Sequence, residues 1–149
     1  MRALLAEAYG QAGQRGKAIR EYEQIVASQP DHAATLNNLA WLYYENGDAK
    51  SLDTARLALA KAPGNAAIMD TLGWILVESG QIDEGMRLLR DASATPGAEG
   101  EIHYHYAVSL SRAGQKEAAR VQLRRMLADF PRFQSRDKAV KLLEELGTG

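Results

Sequence analysis

The sequence predicts an all-α solenoid of four helical hairpins, stacked in a row and closed by a C-terminal capping helix. Three observations predict it. Four glycines, Gly13, Gly47, Gly80 and Gly114, recur at intervals of 34, 33 and 34 residues. Seven residues before each stands a small residue, Ala6, Ala40, Gly73 or Ala107, immediately preceded by a larger one, Leu5, Leu39, Leu72 or Tyr106. All four prolines, Pro30, Pro63, Pro96 and Pro131, fall 33 to 35 residues apart. A hole beside large flanks at fixed phase, closed by glycine and later by proline, is the sequence form of a repeated helical hairpin.

The central stretch, Met69 to Gly80 (MDTLGWILVESG), shows the logic. Leu72 and Leu76 are ridges and Gly73 is the hole that admits a neighbouring backbone. Gly80 ends the helix because glycine reaches the left-handed C′ conformation without a Cβ penalty. The other helices follow in order. The first spans about 2–12, and its partner about 15–28 turns Ala18, Tyr22 and Ile25 toward it. Pro30 breaks the chain, and Asp31 is the expected N-cap of the next helix, about 32–46. Its partner, about 50–61, packs Leu52, Ala55 and Leu59. Asn65, after Pro63-Gly64, caps the helix at about 66–79. The helix at about 82–94 packs Ile82, Gly85, Leu88, Leu89 and Ala92. The fourth hairpin covers about 99–113 and 115–129, with Ala119, Leu123 and Met126 inward. The repeats thus fall at about 1–31, 32–64, 65–98 and 99–132.

The segment after Pro131 departs from the repeat. A helix over about 134–147, with Ser135 as its expected N-cap, gathers Phe133, Ala139, Leu142, Leu143 and Leu146 on one face and charges on the other. A terminal repeat must cover its neighbour while showing water a polar side, and this helix does so. At the other end, Arg2 stands where the other copies have Leu36, Met69 and His103. The expectation is a piece of a longer array, whose N-terminal face is open to pairing with a second copy.

The 34-residue period with this pattern resembles the tetratricopeptide repeat (TPR). That resemblance implies a right-handed superhelix and a non-enzymatic scaffold for a protein or peptide partner. In such an array the first helix of each hairpin lines the concave side. The phase of the packed residues then places Asn37, Trp41, Tyr44 and Glu45 on the groove in the second copy. Asp70, Trp74, Val77 and Glu78 follow in the third, and Glu101, Tyr104, Val108 and Arg112 in the fourth. Trp41 and Trp74 share one phase and are the expected anchors, since large amphipathic rings supply much of the energy of interfaces. The acids lead on this wall. Arg56, Arg87, Arg90, Arg120, Arg124, Arg125, Arg136, Lys138 and Lys141 are expected on the convex, solvated face. Chaperone-binding members of the family hold a peptide carboxylate with basic residues. Here Asn38 matches that clamp, but Ala3, Ala67 and Thr71 stand at its basic positions and Glu7 replaces a further asparagine.

Within that family, NNLAWLYYENGD, MDTLGWILVESGQIDEGMRLLRDA and EIHYHYAVSLSRAGQKEAARVQLRRML, with the cap FQSRDKAVKLLEEL, carry a narrower likeness. Over roughly 36–146 they resemble the C-terminal end of bacterial TPR-repeat lipoproteins of the PEP-CTERM/exosortase systems. The resemblance implies a periplasmic or outer-membrane-anchored parent working in exopolysaccharide export or surface-protein sorting. Glycan binding by the groove, and a cytoplasmic adaptor, are the alternatives.

Composition bounds the rest. A net charge of -1 gives no electrostatic case for nucleic acid. No cysteine is present, which removes thiolate metal sites and cysteine nucleophiles. No apolar run is long enough to span a membrane. His103 and His105 are two apart on a helix and point to different sides, so they cannot chelate one ion together. No catalytic or metal motif appears, and no cofactor is expected.

Overall fold

In the computed structural model, which describes residues 1–147, the chain is a row of helices: α1 (Arg2–Gln11), α2 (Arg15–Ser28), α3 (Ala33–Glu45), α4 (Ser51–Lys61), α5 (Ala66–Glu78), α6 (Ile82–Ala94), α7 (Gly100–Arg112), α8 (Lys116–Asp129) and α9 (Arg136–Gly147). Each helix packs on its sequence neighbours, and α3, α5 and α7 also touch one another along one wall. That is the arrangement of a solenoid, in which each repeat meets only the next.

The four stopping glycines share one geometry. Gly13, Gly47, Gly80 and Gly114 have φ of 72°, 70°, 88° and 79°. The N–H after each donates to the carbonyl of Tyr9, Tyr43, Leu76 or Leu110, at 2.8 to 2.9 Å. This is the Schellman closure, and it ends the first helix of every hairpin at the same phase. The contact across the closed turn starts the hairpin.

The hairpin cores follow the expected phase. Ala6, Ala40, Gly73 and Ala107 are buried, as are Leu39, Leu72, Leu76 and Leu110. Gly73 and Gly85 bring α5 and α6 closest: a Cβ on Gly73 would stand 2.8 Å from Leu89 Cγ and 3.0 Å from the Gly85 carbonyl oxygen. Leu5 departs from the pattern. It is exposed, together with Leu4 and Met1, because no hairpin lies against that side of α1.

One cap differs from expectation. The N-cap of α3 is His32, whose Nδ1 accepts from the Thr35 N–H at 3.2 Å, while Asp31 pairs with Lys61 at 2.5 Å. The imidazole nitrogen accepts from one of the N–H groups that the first turn of a helix leaves free. Asn65 caps α5 as expected, accepting from Ile68 N–H at 3.1 Å.

The last helix seals the array. Ala139 and Leu146 are buried against the fourth hairpin, with Phe133, Leu142 and Leu143 packed beside them. Phe133 lies on Gly100, where a Cβ would come within 3.0 Å of the ring. Arg120 does not serve only the solvated face: its Nε–H donates to the Leu146 carbonyl at 2.7 Å and holds the C-terminal end of α9.

Candidate functional site

The first helices of the hairpins line a cavity of about 760 Å³, closed at one end by the start of α9. Of the residues expected on the groove, Asn37, Trp41, Tyr44, Glu45, Asp70, Trp74, Glu101 and Tyr104 border it. Glu78 and Arg112 lie beside it, ion-paired with each other. Val77 and Val108 are buried in the hairpin packing instead. Val77 turns toward Gly85 of its own hairpin, and Val108 borders a recess beside Tyr104.

The centre of the site is His105. It is 8% exposed, and its ring stacks on Trp74 with centroids 4.3 Å apart and planes 24° from parallel. Its Nδ1 lies 2.7 Å from Asp70 Oδ1. An ionised carboxylate only accepts, so Nδ1 is the donor. Nε2 faces Glu101 Oε2 at 3.8 Å. Trp41 stands 6.4 Å from the imidazole and Tyr104 6.0 Å, both tilted. The partners come from three successive first helices, so the cluster ties α3, α5 and α7 together.

The two tryptophans are therefore not equivalent. Trp74 carries His105 on its ring, has the Arg112 guanidinium 5.5 Å from its centroid and donates its indole N–H to Tyr44 Oη at 3.3 Å. Trp41 meets Tyr44 at 5.3 Å and His105 at the edge of contact range. Trp74 is built into the wall, whereas Trp41 is the less engaged ring.

The acids are divided too. Glu45 is 3.6 Å from Arg15. Glu101 holds the cap: the Ser135 hydroxyl donates to Oε2 at 2.9 Å, and the Ser135 N–H donates to Oε1. Ser135 is thus bound to a groove carboxylate and does not cap its own helix. Asp70 bonds only to His105 among the described residues. Burial raises the phenol pKa of both Tyr44 and Tyr104, with Glu101 adding to the effect at Tyr104, so both stay protonated and able to donate.

Two site residues escaped the sequence reading. Lys138, expected on the convex face, enters the groove because α9 folds back across its end. With Lys141 and Arg112 it lines a shallow recess next to Tyr104. In the sequence His105 reads as an ordinary helix residue, two positions from His103 and unable to share an ion with it. The missed signal was its phase: Asn38, Thr71 and His105 recur 33 and 34 residues apart, and the first two had already been placed on the groove. His103 does point elsewhere, stacking on Phe130 at 4.9 Å. No group of three His, Asp or Glu side chains is placed to hold a metal ion among the described residues. No helix there is long and apolar enough to cross a membrane.

A tetratricopeptide-repeat family model matches residues 3–132. The chain belongs to that family of helical-repeat scaffolds for protein–protein interaction. Among solved structures, MamA aligns with a TM-score of 0.74 at 18% identity, over 95% of this chain and 91% of its own. PilW, described as a widely conserved type IV pilus biogenesis factor, aligns with a TM-score of 0.81 at 21% identity, over 99% of this chain and 77% of its own. An O-GlcNAc transferase mutant from Thermobaculum terrenum aligns with a TM-score of 0.78 at 24% identity, over 83% of this chain but 24% of its own. These likenesses are likenesses of fold. No curated protein matches the chain in sequence.

Proposed function

We propose that this chain is a non-catalytic scaffold that docks an extended segment of a protein partner in the groove bordered by Trp41, Trp74 and Tyr104. The observation that carries the reading is the groove itself: an open cavity of about 760 Å³ walled by indole and phenol rings, with carboxylates between them. Aromatic anchors with a polar rim suit a peptide that keeps its backbone hydrated while burying a few side chains.

The cellular setting we propose is the bacterial envelope, within exopolysaccharide export or surface-protein sorting. The likeness of residues 36–146 to the envelope TPR lipoproteins supports it, and PilW, by its description a type IV pilus biogenesis factor, is a neighbour in fold. On this reading the parent is periplasmic or anchored in the outer membrane. The exposed Met1, Leu4 and Leu5 would also let two copies of the isolated chain pair through α1. The test is capture from an envelope extract by the chain and by Trp41→Ala. A partner retained by the first and lost by the second supports docking in the groove. Equal capture by both overturns it. The same rings and acids would suit a sugar, so titration with an envelope polysaccharide is the control. Saturable binding that Trp41→Ala abolishes would favour the glycan reading.

A further inference from the structure

The groove has an uneven supply of hydrogen-bonding atoms. Asn37 Oδ1 is buried and accepts no hydrogen bond among the described residues. Asp70, one repeat further on and at the same phase, bonds only to His105, through Oδ1. Glu7, Glu45 and Glu101 border the same cavity, against the single base Lys138 at its far end. The middle of the site is thus rich in acceptors, most of them carboxylates, beside the tyrosine hydroxyls and indole N–H groups of the wall. An acceptor left without a donor inside a protein is costly, and a ligand that supplies the donor removes the cost. The Asn37 side chain borders the cavity, and its broad terminal torsion lets the amide present either its oxygen or its NH2 there.

Trp41 supplies the third component. It stands four residues after Asn37 on α3, hence on the same face. Trp74 is already occupied by His105, Arg112 and Tyr44. The Trp41 ring is the one open to a flat partner.

We propose that the groove centre is a subsite for an arginine side chain of the partner, with the guanidinium against Trp41 and its N–H groups donated to Asp70 and Asn37. A guanidinium is planar, always charged and carries five donors in a fixed fork, so it can meet a ring with its face and two acceptors with its edge. An ammonium offers no face for the ring. This inference rests on the docking role proposed above and adds the chemistry of the segment docked. It also gives that segment a polarity: an acidic residue on the side of the arginine nearer α9 would meet Lys138, Lys141 and Arg112.

The test needs no knowledge of the partner. The whole chain, labelled with ¹⁵N, is titrated with N-acetyl-arginine amide, N-acetyl-lysine amide and N-acetyl-citrulline amide, the last a neutral isostere of arginine. The readouts are the Trp41 indole N–H and Asn37 side-chain amide resonances, assigned by Trp41→Phe and Asn37→Leu. The expectation is saturable millimolar binding of the arginine probe that moves both signals, about tenfold weaker for citrulline. Asp70→Asn should erase the preference for arginine over citrulline while leaving the fold, checked by circular dichroism, in place. Asn37→Leu should weaken the arginine probe without abolishing that preference. Equal affinity for arginine and citrulline, or an arginine preference untouched by Asp70→Asn, overturns the subsite. The groove reading fails separately, by unchanged capture of a partner by Trp41→Ala. A partner lost on that change, in a groove indifferent to arginine, would sink the subsite alone.

Discussion

Gly73 and Gly85 meet backbone to backbone: a Cβ on Gly85 would stand 2.5 Å from the Gly73 carbonyl oxygen and 2.7 Å from Val77 Cγ2. Because the obstacle is main chain, it cannot swing aside as a side-chain end would. Gly85→Ala should therefore push α5 and α6 apart. We expect a loss of about 1–3 kcal/mol, the overpacking range, despite alanine's better helix propensity of about 1 kcal/mol. Urea denaturation measures it. A change under about 0.5 kcal/mol would show that the helices separate freely.

Leu72 should behave as a plain core leucine. It is buried between hairpins, so Leu72→Ala leaves a cavity that neighbouring repeats cannot close and should cost about 2–5 kcal/mol. The check is the same denaturation series, with the solvent-exposed Leu57→Ala as control.

Trp41→Ala and Trp74→Ala should separate binding from folding. Trp74 holds His105, Arg112 and Tyr44 in place, so its loss should lower stability by about 2 kcal/mol or more and disturb the groove as well. Trp41→Ala should spare most of the stability and weaken a docked partner by about 2 kcal/mol, as hot-spot residues do. Thermal melts with affinity measurements decide it. Equal stability losses for both would show that the two rings do the same structural job.

The cap hangs on Glu101. Its carboxylate takes both the hydroxyl and the N–H of Ser135, and Glu101→Ala would leave that N–H without its acceptor. Hydrogen exchange in α9 should rise selectively while α3 to α6 stay protected. The cost should be about 1–3 kcal/mol. Deleting residues 134–149 should go further, exposing the apolar side of the fourth hairpin and lowering solubility.

His103 gives a pH signature. Burial, reinforced by Arg125, holds its imidazole below its ordinary value of 6.5. The unfolded chain therefore binds a proton more readily, and this residue withdraws stability as pH falls below the ordinary value toward the lowered one. The penalty of His103→Gln should be larger at pH 7.5 than at pH 5. Denaturant titrations of both proteins at the two pH values test it. A pH-independent difference would mean that the ring titrates alike folded and unfolded.

Much of this fold is legible in the chain because its signals are local and repeated. A glycine closing a helix, a hole seven residues earlier and a proline at the exit are each written within one hairpin, and four copies fix the phase. What was not legible depended on the approach of distant segments. Glu101 reads as a groove acid, but it is taken by Ser135, which α9 delivers from 34 residues away. Lys138 reads as a convex base until the same helix folds back across the groove. Leu5 reads as core by phase, yet phase cannot say whether a neighbouring hairpin lies against it. His105 is within reach, since its repeat phase matches that of Asn38 and Thr71 on the groove.

The neighbour-only packing of the hairpins has a mechanical consequence. Pulled or heated, such a molecule does not come apart all at once but unzips from its weaker end. The Gly73–Gly85 contact and the aromatic cluster of α3, α5 and α7 lie in the stretch that lets go late. A partner lying along the groove would span several rungs at once. Its grip would act as a splint, and the chain's resistance to tension would become a measure of whether the groove is filled.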